Sequence, residues 1–391
     1  MLATCDASDD DQPPRLNEHS AAYDDARHTM ILFGGNTAVP ENCGFPAYTF
    51  SADTWIYYDY DTGCGHWKHL VGDESAPPPR ARHAAAFGDG AMWVFGGRFR
   101  ARASGAYQIF NDLWRFDPAT RTWTEVEATG APPARFNHTL VHDGVRNQLL
   151  VYGGNGSGNA VAPAVLDDVW RFDIATSTWS EIEISGRGPA PRMWQSAFFD
   201  TDRDQMVVHG GGDETAFLDN ATYFGDLMAF FPESGRWSQL HDGRRGEHPD
   251  GRFWGQMVHD TTQDRYLLFA GHDDANLGNR NDTWAFDPEG MEWANLEFED
   301  TFNAPANGFC DFPADFTDVQ RGLPERRNAH TLVFAPTCGH ALAFGGKTDC
   351  GAVNDVWAYG EGGWSNPVVA TEGEACLRWR ANPDNCSNMC F

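Results

Sequence analysis

The sequence of 391 residues has very little lysine, no long apolar run and no motif that assigns a reaction. Lysine occurs only twice, and 56 acidic residues against 28 basic ones give a formal net charge of −28. Such a surface repels phosphate backbones, so nucleic acid is not an expected partner. No apolar run approaches the roughly 18 residues of a membrane-spanning helix, and no transmembrane segment is predicted. A phosphate-binding loop, a G-x-S-x-G elbow and an H-E-x-x-H helix are also absent.

The nine cysteines include no C-x-x-C pair, and no histidines at zinc-finger spacing accompany them. This pattern favours disulfides formed in an oxidising compartment over a structural zinc site. We therefore expect a secreted or cell-surface protein, in which the odd number of cysteines leaves one thiol over. The segment Leu2-Ala-Thr-Cys5 resembles the end of a bacterial lipobox, so Cys5 is a candidate lipid anchor.

Glycine and aromatic residues are plentiful and spread along the chain, with 41 Gly, 15 Trp and 27 Phe. This distribution is typical of many short strands joined by tight turns, which predicts an all-β protein. An internal repeat is visible within it. Its clearest copy begins at Arg135-Phe-Asn-His138, continues through Tyr152-Gly153-Gly154 and Asp168-Val-Trp170, and ends at Trp179.

Five further copies of this unit align with the first. Their paired small residues are Gly34-Gly35, Gly96-Gly97, Gly210-Gly211, Ala270-Gly271 and Gly345-Gly346. Their Asp-x-Trp positions are Asp53/Trp55, Asp112/Trp114, Asp226/Met228, Asp282/Trp284 and Asp355/Trp357. Their closing tryptophans are Trp67, Trp123, Trp237, Trp293 and Trp364. Six copies of a unit with four short strands predict a six-bladed β-propeller, because no blade buries both of its faces alone.

The repeat resembles that of the kelch family, over roughly residues 14 to 370. The resemblance implies four antiparallel strands per blade, here named A to D from the centre outwards. We expect an N-terminal extension at 1–13, the propeller at 14–370 and a cysteine-rich tail at 371–391. The first and last copies each contain all four strands, so we expect the ring to close without strand exchange, helped by disulfides from the tail.

In such a meander the B–C loops and the D–A linkers emerge on one face, and the short A–B and C–D turns on the other. The B–C loops are long, so the candidate functional face is the long-loop face. A row of arginines begins strand A in every blade but the first: Arg80, Arg135, Arg192, Arg252 and Arg327. They either bind carboxylates and carbonyls within the protein or, with Arg98 and Lys347, line a central mouth for anionic ligands. The segment Arg98-Phe-Arg100-Ala-Arg102 is a basic island that either contacts an anionic partner or forms a solvated loop.

Blades 4 and 5 depart from the repeat. His209 replaces an aromatic residue of strand B, and His272 and Asp273 follow the small-residue pair of blade 5. These three are candidates for an acid–base site or a divalent metal site. Trp194, Trp254 and Asp213 are candidate ligand contacts, the tryptophans by stacking on a sugar ring. The alternative is that His209 belongs to the core and the tryptophans are packing residues.

A second candidate metal site lies in the D–A linker at 296–325. Asp311, Asp315 and Asp318 are spaced closely enough to chelate calcium or a transition metal. Plant specifier proteins, which are kelch enzymes, hold iron with a Glu, Asp and His triad at similar spacing. Here Asp311 stands at the Glu position and no histidine closes the triad. A solvated acidic loop is the alternative.

Three functions remain open from the sequence. The first is an extracellular module that recognises a protein or a carbohydrate through its long-loop face. The second is a metal-dependent enzyme, either a lyase or isomerase or a sugar mutarotase, with its site between blades 4 and 5. The third is a structural part of a surface assembly. The sequence does not decide whether the chain is an enzyme.

Overall fold

The structure is a computed structural model that describes residues 12–37, 49–59, 65–70, 75–101, 106–158, 162–216, 221–273, 278–298, 322–348 and 351–371. All regular structure in these ranges is β-strand. No helix long and apolar enough to cross a membrane is found among them. The predicted all-β class is confirmed.

Six four-stranded antiparallel meanders form the blades, which confirms the predicted six-bladed propeller. Blade 1 contains β1 (Ser20–Asp24), β2 (Thr29–Phe33), β3 (Thr54–Tyr58) and β4 (His66–Leu70). Blade 2 contains β5 (Ala84–Gly88), β6 (Ala91–Phe95), β9 (Leu113–Asp117) and β10 (Thr122–Glu125). Blade 3 contains β11 (Thr139–Asp143), β12 (Gln148–Asn155), β13 (Val165–Asp173) and β14 (Thr178–Glu181).

The second half of the ring repeats this order. Blade 4 contains β15 (Ser196–Asp200), β16 (Gln205–His209), β17 (Leu227–Phe231) and β18 (Arg236–His241). Blade 5 contains β19 (Gln256–Asp260), β20 (Arg265–Asp273), β21 (Gly278–Asp287) and β22 (Glu292–Glu297). Blade 6 contains β24 (Thr331–Ala335), β25 (His340–Phe344), β28 (Val356–Gly360) and β29 (Gly363–Val368). Five short strands lie in the loops: β7 (Arg98–Phe99), β8 (Gln108–Ile109), β23 (Arg327–Asn328), β26 (Lys347–Thr348) and β27 (Gly351–Ala352).

The core lies between neighbouring blades. Strand B is buried on both faces in blades 1 and 2, because each blade is sandwiched by its neighbours. Strand D buries mainly its closing tryptophan. Each of these indoles packs against the residue that precedes the small-residue pair in strand B of the preceding blade, at ring-centroid distances of 4.5 to 5.6 Å. The six pairs are Trp67–Phe344, Trp123–Phe33, Trp179–Phe95, Trp237–Tyr152, Trp293–His209 and Trp364–Phe269.

A buried arginine holds strand A to strand C within blades 2 to 6. In blade 3 the Arg135 guanidinium donates to both carboxylate oxygens of Asp168 at 2.7 Å and to the Gly153 carbonyl at 3.1 Å. The Trp170 indole N–H donates to the same carboxylate at 2.7 Å. The arginine–aspartate pair recurs in the other four blades as Arg80–Asp112, Arg192–Asp226, Arg252–Asp282 and Arg327–Asp355. The five arginines therefore bind carboxylates and carbonyls within the protein, which is the first of the two roles considered for them. Their guanidinium groups make these bonds inside the blade.

Blade 1 lacks this clamp. Leu16 stands at the arginine position, and the Asp53 side chain is 48% exposed. Its carboxylate accepts from the Ser51 hydroxyl at 2.9 Å and lies 3.4 Å from His69 Nε2. The chain thus provides an internal comparison between clamped and unclamped aspartates.

The paired glycines at the end of strand B allow a close approach of the neighbouring chain. Gly154 has a φ of 95°, and a Cβ built there would lie 2.8 Å from the Phe136 carbonyl oxygen. A side chain at this position clashes with backbone that has no room to move. Glycine is therefore required at this position.

Four buried histidines, three residues after the clamp position of their blades, form an inner layer: His19, His83, His138 and His330. The His83 ring lies 3.1 Å from the Phe33 carbonyl of the preceding blade, and in blade 4 Gln195 donates to the Tyr152 carbonyl at 3.0 Å. Burial lowers the pKa of His19 and of His138 to about 3 and that of His83 well below its usual range. Burial also lowers the pKa of His330 well below its usual range, so all four histidines are neutral at physiological pH and pack edge to face on a phenylalanine of the preceding blade.

The ring closes between blades 6 and 1 without strand exchange, as predicted from the complete first and last copies. All four strands of each of these blades come from one continuous part of the chain. The seam is joined by backbone bonds from Gly346 N–H to the Leu16 carbonyl at 2.8 Å and from Leu16 N–H to the Val353 carbonyl at 3.2 Å. The Asn354 amide also donates to the Pro13 carbonyl at 2.9 Å.

Several predictions fall outside the described residues and stay predictions. These are the N-terminal extension up to residue 11, the tail from residue 372 onward, the lipid anchor at Cys5 and the metal site of Asp311, Asp315 and Asp318. Eight of the nine cysteines also lie outside the described residues, so the predicted disulfides stay predictions.

The clamp leads to an expectation for stability. Replacing Asp168 with alanine leaves the fully buried Arg135 guanidinium unpaired, and we expect the free energy of unfolding to fall by about 3–5 kcal/mol. The matched variant Asp53→Ala removes an exposed carboxylate without a clamp and should cost less than about 1 kcal/mol. Urea unfolding followed by tryptophan fluorescence measures both. Equal losses would contradict the structural role of the clamp.

The histidine layer leads to an expectation for pH. The folded pKa values lie below that of an unfolded histidine, so the unfolded state binds more protons and stability falls as the pH drops below about 6.5. Each buried histidine contributes a slope of roughly 1.4 kcal/mol per pH unit down towards its folded pKa. We expect His83→Gln, which copies the natural Gln195, to reduce the slope by one such increment. The reverse change Gln195→His should add one. Urea unfolding between pH 4 and 7 checks both, and an unchanged slope in both variants would be the contrary result.

Candidate functional site

The centre of the long-loop face is surrounded by six residues, one from each blade, which we call the mouth ring: Glu18, Arg82, Asn137, Trp194, Trp254 and Ala329. Each directly precedes the histidine position of its blade. All six line the upper end of a central cavity of about 540 Å³. The six residues share a position in the repeat. Their side chains differ in charge and polarity from blade to blade, except that blades 4 and 5 both have tryptophan.

The mouth ring is held by backbone bonds that run around the axis. Arg82 N–H donates to the Glu18 carbonyl, Asn137 to Arg82, Trp194 to Asn137 and Trp254 to Trp194, at 2.9 to 3.0 Å. At the seam, Glu18 N–H donates to the Ala329 carbonyl at 3.0 Å. All six residues have a φ between 50° and 63°. This left-handed conformation is strained for residues as bulky as tryptophan and is maintained where surrounding structure enforces it.

Side chains of the mouth ring reach across the axis. The Arg82 guanidinium of blade 2 lies 4.8 Å from the centroid of the Trp254 ring of blade 5, the opposite blade. The Trp194 and Trp254 rings meet edge to face at 5.6 Å. The cavity is therefore covered at this end by a cation–π contact. Its lower end is bordered by turn-face residues such as Thr201, Thr261 and Pro336.

One half of the mouth is basic. Arg82 and Arg98 both bind the Glu18 carboxylate, the latter at 3.4 Å. Burial opposes ionisation of Glu18, yet these two arginines and Lys347 hold its pKa at about 2. Burial and the neighbouring Arg82 lower the pKa of Arg98 to about 10, so it keeps its charge at neutral pH. Arg98 also stacks on Tyr107 at 4.0 Å. Arg82 and Arg98 thus share the Glu18 carboxylate, with Lys347 near it, in a protein whose net charge is −28.

Hydrogen-bond donors at the mouth exceed the acceptors. Within the described part of the chain, the donors Arg82 Nε, Arg98 Nε and Asn137 Nδ2 are buried without a hydrogen-bond partner, and so is one acceptor of the mouth ring, Asn137 Oδ1. A buried donor left without an acceptor destabilises a protein by about 1–3 kcal/mol. Donors of this kind in a pocket are satisfied by an incoming acceptor, and excess positive charge favours an anionic one.

The other half of the mouth is aromatic. Trp194, Phe253 and Met193 form a buried apolar cluster, against which Tyr223 and Trp254 pack. The Trp194 ring is 6% exposed, whereas Trp254 is partly exposed at the centre of the face. This places both candidate tryptophans at the predicted face. Trp194 is mainly a packing residue there, and Trp254 offers the accessible ring.

The three residues considered for acid–base or metal chemistry are not brought together. His209 lies in the core, edge to face with Trp293 at 5.6 Å, and burial lowers its pKa to about 3. His272 is in the loop layer, where its Nδ1 lies 2.7 Å from the Asn279 amide oxygen, and Asp273 pairs with Arg280 at 3.0 Å. Among the described residues, a metal site would need three ligand atoms within 4.8 Å of one another, and His209, His272 and Asp273 do not form such a group. His209 occupies the strand B position that holds an aromatic residue in the other blades, and like them it packs on the closing tryptophan of the next blade.

The remaining candidate ligand contacts lie in different parts of the structure. Arg135, Arg192, Arg252 and Arg327 are buried in the blade clamps. Asp213 caps its own loop by accepting from the Thr215 N–H at 2.8 Å. Arg98 and Lys347 directly follow the glycine pairs of blades 2 and 6 and pair with backbone next to the mouth ring. Of the predicted contacts, Arg98, Lys347, Trp194 and Trp254 are the ones at the mouth.

Sequence reasoning missed Glu18, Arg82 and Asn137. A signal for them exists in the repeat itself. The position before the histidine holds Glu, Arg, Asn, Trp, Trp and Ala in the six copies, whereas the position two residues earlier holds arginine in five of them. A position that varies among the copies of an otherwise regular repeat is therefore a candidate for a binding site, because the symmetric scaffold does not require any one residue there.

Comparison with known proteins gives one family and several relatives. The family model for the KLHDC2/KLHL20/DRC7 Kelch-repeats domain matches residues 4–211 and 131–312. The flagellar outer-arm dynein alpha chain of Chlamydomonas reinhardtii is 37% identical over 161 residues, which are 38% of this chain and 3% of that protein. Kelch domain-containing protein 3 of Bos taurus is 28% identical over 224 residues, 54% of this chain and 53% of that protein.

Two further comparisons are consistent with this. Tip elongation aberrant protein 3 of Schizosaccharomyces pombe is 26% identical over 203 residues, 46% of this chain and 17% of that protein. The matched part of this chain therefore spans about half or less of the length of these relatives. The solved structure of YjhT superposes with a TM-score of 0.63 at 16% identity, over 91% of this chain and 98% of that one. At this identity the likeness concerns the fold alone.

Proposed function

The chain belongs to the kelch-repeat family, and from that premise we propose that it is a binding module that recognises a protein partner at the mouth of its long-loop face. Kelch propellers are suited to protein interaction. The observation that carries the proposal is the set of buried donors without a partner at the mouth, Arg82 Nε, Arg98 Nε and Asn137 Nδ2. The recognised element is a segment with a carboxylate next to an apolar or aromatic side chain.

The charge distribution supports an anionic element. Arg82 and Arg98 share the Glu18 carboxylate, while the whole chain carries a net charge of −28. A local positive site in an acidic surface directs an anionic group to one place and repels it elsewhere. A carboxylate is the acceptor that matches guanidinium donors best, since it takes two parallel hydrogen bonds.

The aromatic half supports the second part of the element. Trp254 is partly exposed and lies 4.8 Å from the Arg82 guanidinium, so a ligand carboxylate at Arg82 is adjacent to an aromatic surface. Aromatic and arginine side chains dominate binding energy at protein interfaces. A sugar acid presents the same two features, so a carbohydrate ligand is the competing form of the proposal.

Selection from a displayed random-peptide library against the immobilised full chain tests this function. We expect enriched peptides to share an acidic residue or a C-terminal carboxylate beside an apolar residue. Arg82→Ala should weaken their binding at least about tenfold, since a hydrogen bond to a charged group is worth roughly 1.5–3 kcal/mol. Trp254→Ala should weaken it as well. The matched control Arg121→Ala removes an exposed arginine on the turn face and should leave binding unchanged.

Peptides that bind Arg82→Ala and Trp254→Ala as well as the unchanged protein would show that the mouth is not the site. Binding confined to acidic sugars on a glycan array would replace the protein ligand by a carbohydrate one. Folding of each variant is checked by its urea midpoint, so that lost binding is not confused with lost structure.

We also propose that the protein acts in an oxidising compartment, as a secreted or cell-surface protein. The support is the set of nine cysteines without a zinc-finger pattern. Protein purified from its native source and denatured without reductant should show one reactive thiol by mass-tagging. Nine reactive thiols would contradict this location.

A further inference from the structure

The seam between blades 1 and 6 is the one blade junction that no D–A linker crosses. On the turn face it is joined by side chains from both blades. In the A–B turn of blade 6, Thr337 donates from its N–H and from its hydroxyl to the two Asp25 carboxylate oxygens of blade 1, each at 3.0 Å. Next to this contact lies a second, more deeply placed polar cluster.

That cluster contains three different metal-ligating groups. Asp59 follows β3 of blade 1, Cys338 lies in the A–B turn of blade 6, and His340 begins β25. One ligand atom from each lies within 4.8 Å of the others, and among the described residues this is the one group of three with that property. The His340 Nε2 atom is 2.8 Å from Asp59 Oδ2.

Tyr23 of blade 1 completes the surroundings. Its hydroxyl donates to Asp59 Oδ2 at 3.2 Å and lies 3.9 Å from the Cys338 sulfur. Asp59 is 7% exposed and the His340 side chain 24%. The three ligating atoms therefore converge on one point between the blades, and the site has an opening towards solvent through His340.

We propose that Asp59, Cys338 and His340 bind one Zn²⁺ ion and thereby join the first blade to the last. Thiolate, imidazole and carboxylate are the ligands that zinc uses in proteins, usually in a tetrahedral arrangement. A thiolate and an imidazole select a transition metal over calcium or magnesium. The fourth position is taken by water or by the Tyr23 hydroxyl.

Binding requires a defined loss of protons. The Cys338 thiol proton leaves to solvent as the zinc–sulfur bond forms, and His340 coordinates through Nε2, so any proton that this nitrogen shares with Asp59 also leaves. No electron is transferred and no other bond breaks. Because ligands from two blades hold one ion, the metal stabilises the closed ring relative to an opened one.

The experiment uses the full chain after dialysis against a chelator. Titration with ZnCl2 by isothermal calorimetry should show one site per chain. The thermal midpoint Tm should rise by about 3 °C at a zinc concentration 100-fold above Kd, as expected for a chain of this size. Cys338→Ser, His340→Ala and Asp59→Asn should each lower zinc affinity at least about tenfold and remove the rise in Tm.

Thr337→Ala is the matched control. It removes one hydrogen bond from the same seam without removing a ligand, so it should lower Tm in the absence of metal and keep the zinc-dependent rise. Loss of the rise in Thr337→Ala as well would attribute the effect to seam packing and overturn the proposal. The proposed peptide site is on the other face, so peptide binding at the mouth reports separately on the binding function.

Cobalt provides a measurement that does not depend on variants folding. The Co²⁺-loaded protein should show a near-ultraviolet thiolate-to-cobalt charge-transfer band, and zinc should displace it. A spectrum without this band, no zinc binding by calorimetry, or a Cys338 sulfur found in a disulfide by peptide mapping would each overturn the proposal.

Discussion

The buried guanidinium group at the start of strand A is the interaction on which each clamped blade depends. It joins the innermost strand to strand C through a carboxylate and to the end of strand B through a main-chain carbonyl, as Arg135 does with Asp168 and Gly153. A fully buried cation remains stable only when its donors are satisfied. The clamp therefore fixes where strand A begins, and with it the height of the mouth ring in blades 2 to 6.

The mouth ring inherits its geometry from this arrangement. Two residues after the clamp, the backbone takes a left-handed turn and bonds to the same position of the next blade. Because the backbone is held by its neighbours, the side chain at this position is free to differ between blades. Arg82 and Trp254 use that freedom to meet across the axis, so a regular scaffold carries an uneven, half basic and half aromatic surface.

Closure depends on different contacts from those inside the blades. Blade 1 has Leu16 where the others have the clamp arginine, and its first strand is held instead by backbone bonds to blade 6 and by the Tyr23, Asp59 and His340 cluster. The sequence argued against zinc because it lacks closely spaced ligand pairs. His340 and Asp59 are 281 residues apart, so no spacing rule relates them and only the ring brings them together.

The sequence by itself determined the all-β class, the number of blades and the strand positions. The small-residue pair, the Asp-x-Trp segment and the closing Trp recur with few departures, and each does the same physical task in its blade. It also indicated the long-loop face and four residues at the mouth: Arg98, Lys347, Trp194 and Trp254. Only the tertiary structure decided that Arg135 and its equivalents pair with aspartates inside the blades, and that His209 lies in the hydrophobic core. It also decided that Glu18, Arg82 and Asn137 face one axis, since contacts between blades join residues that no local pattern relates.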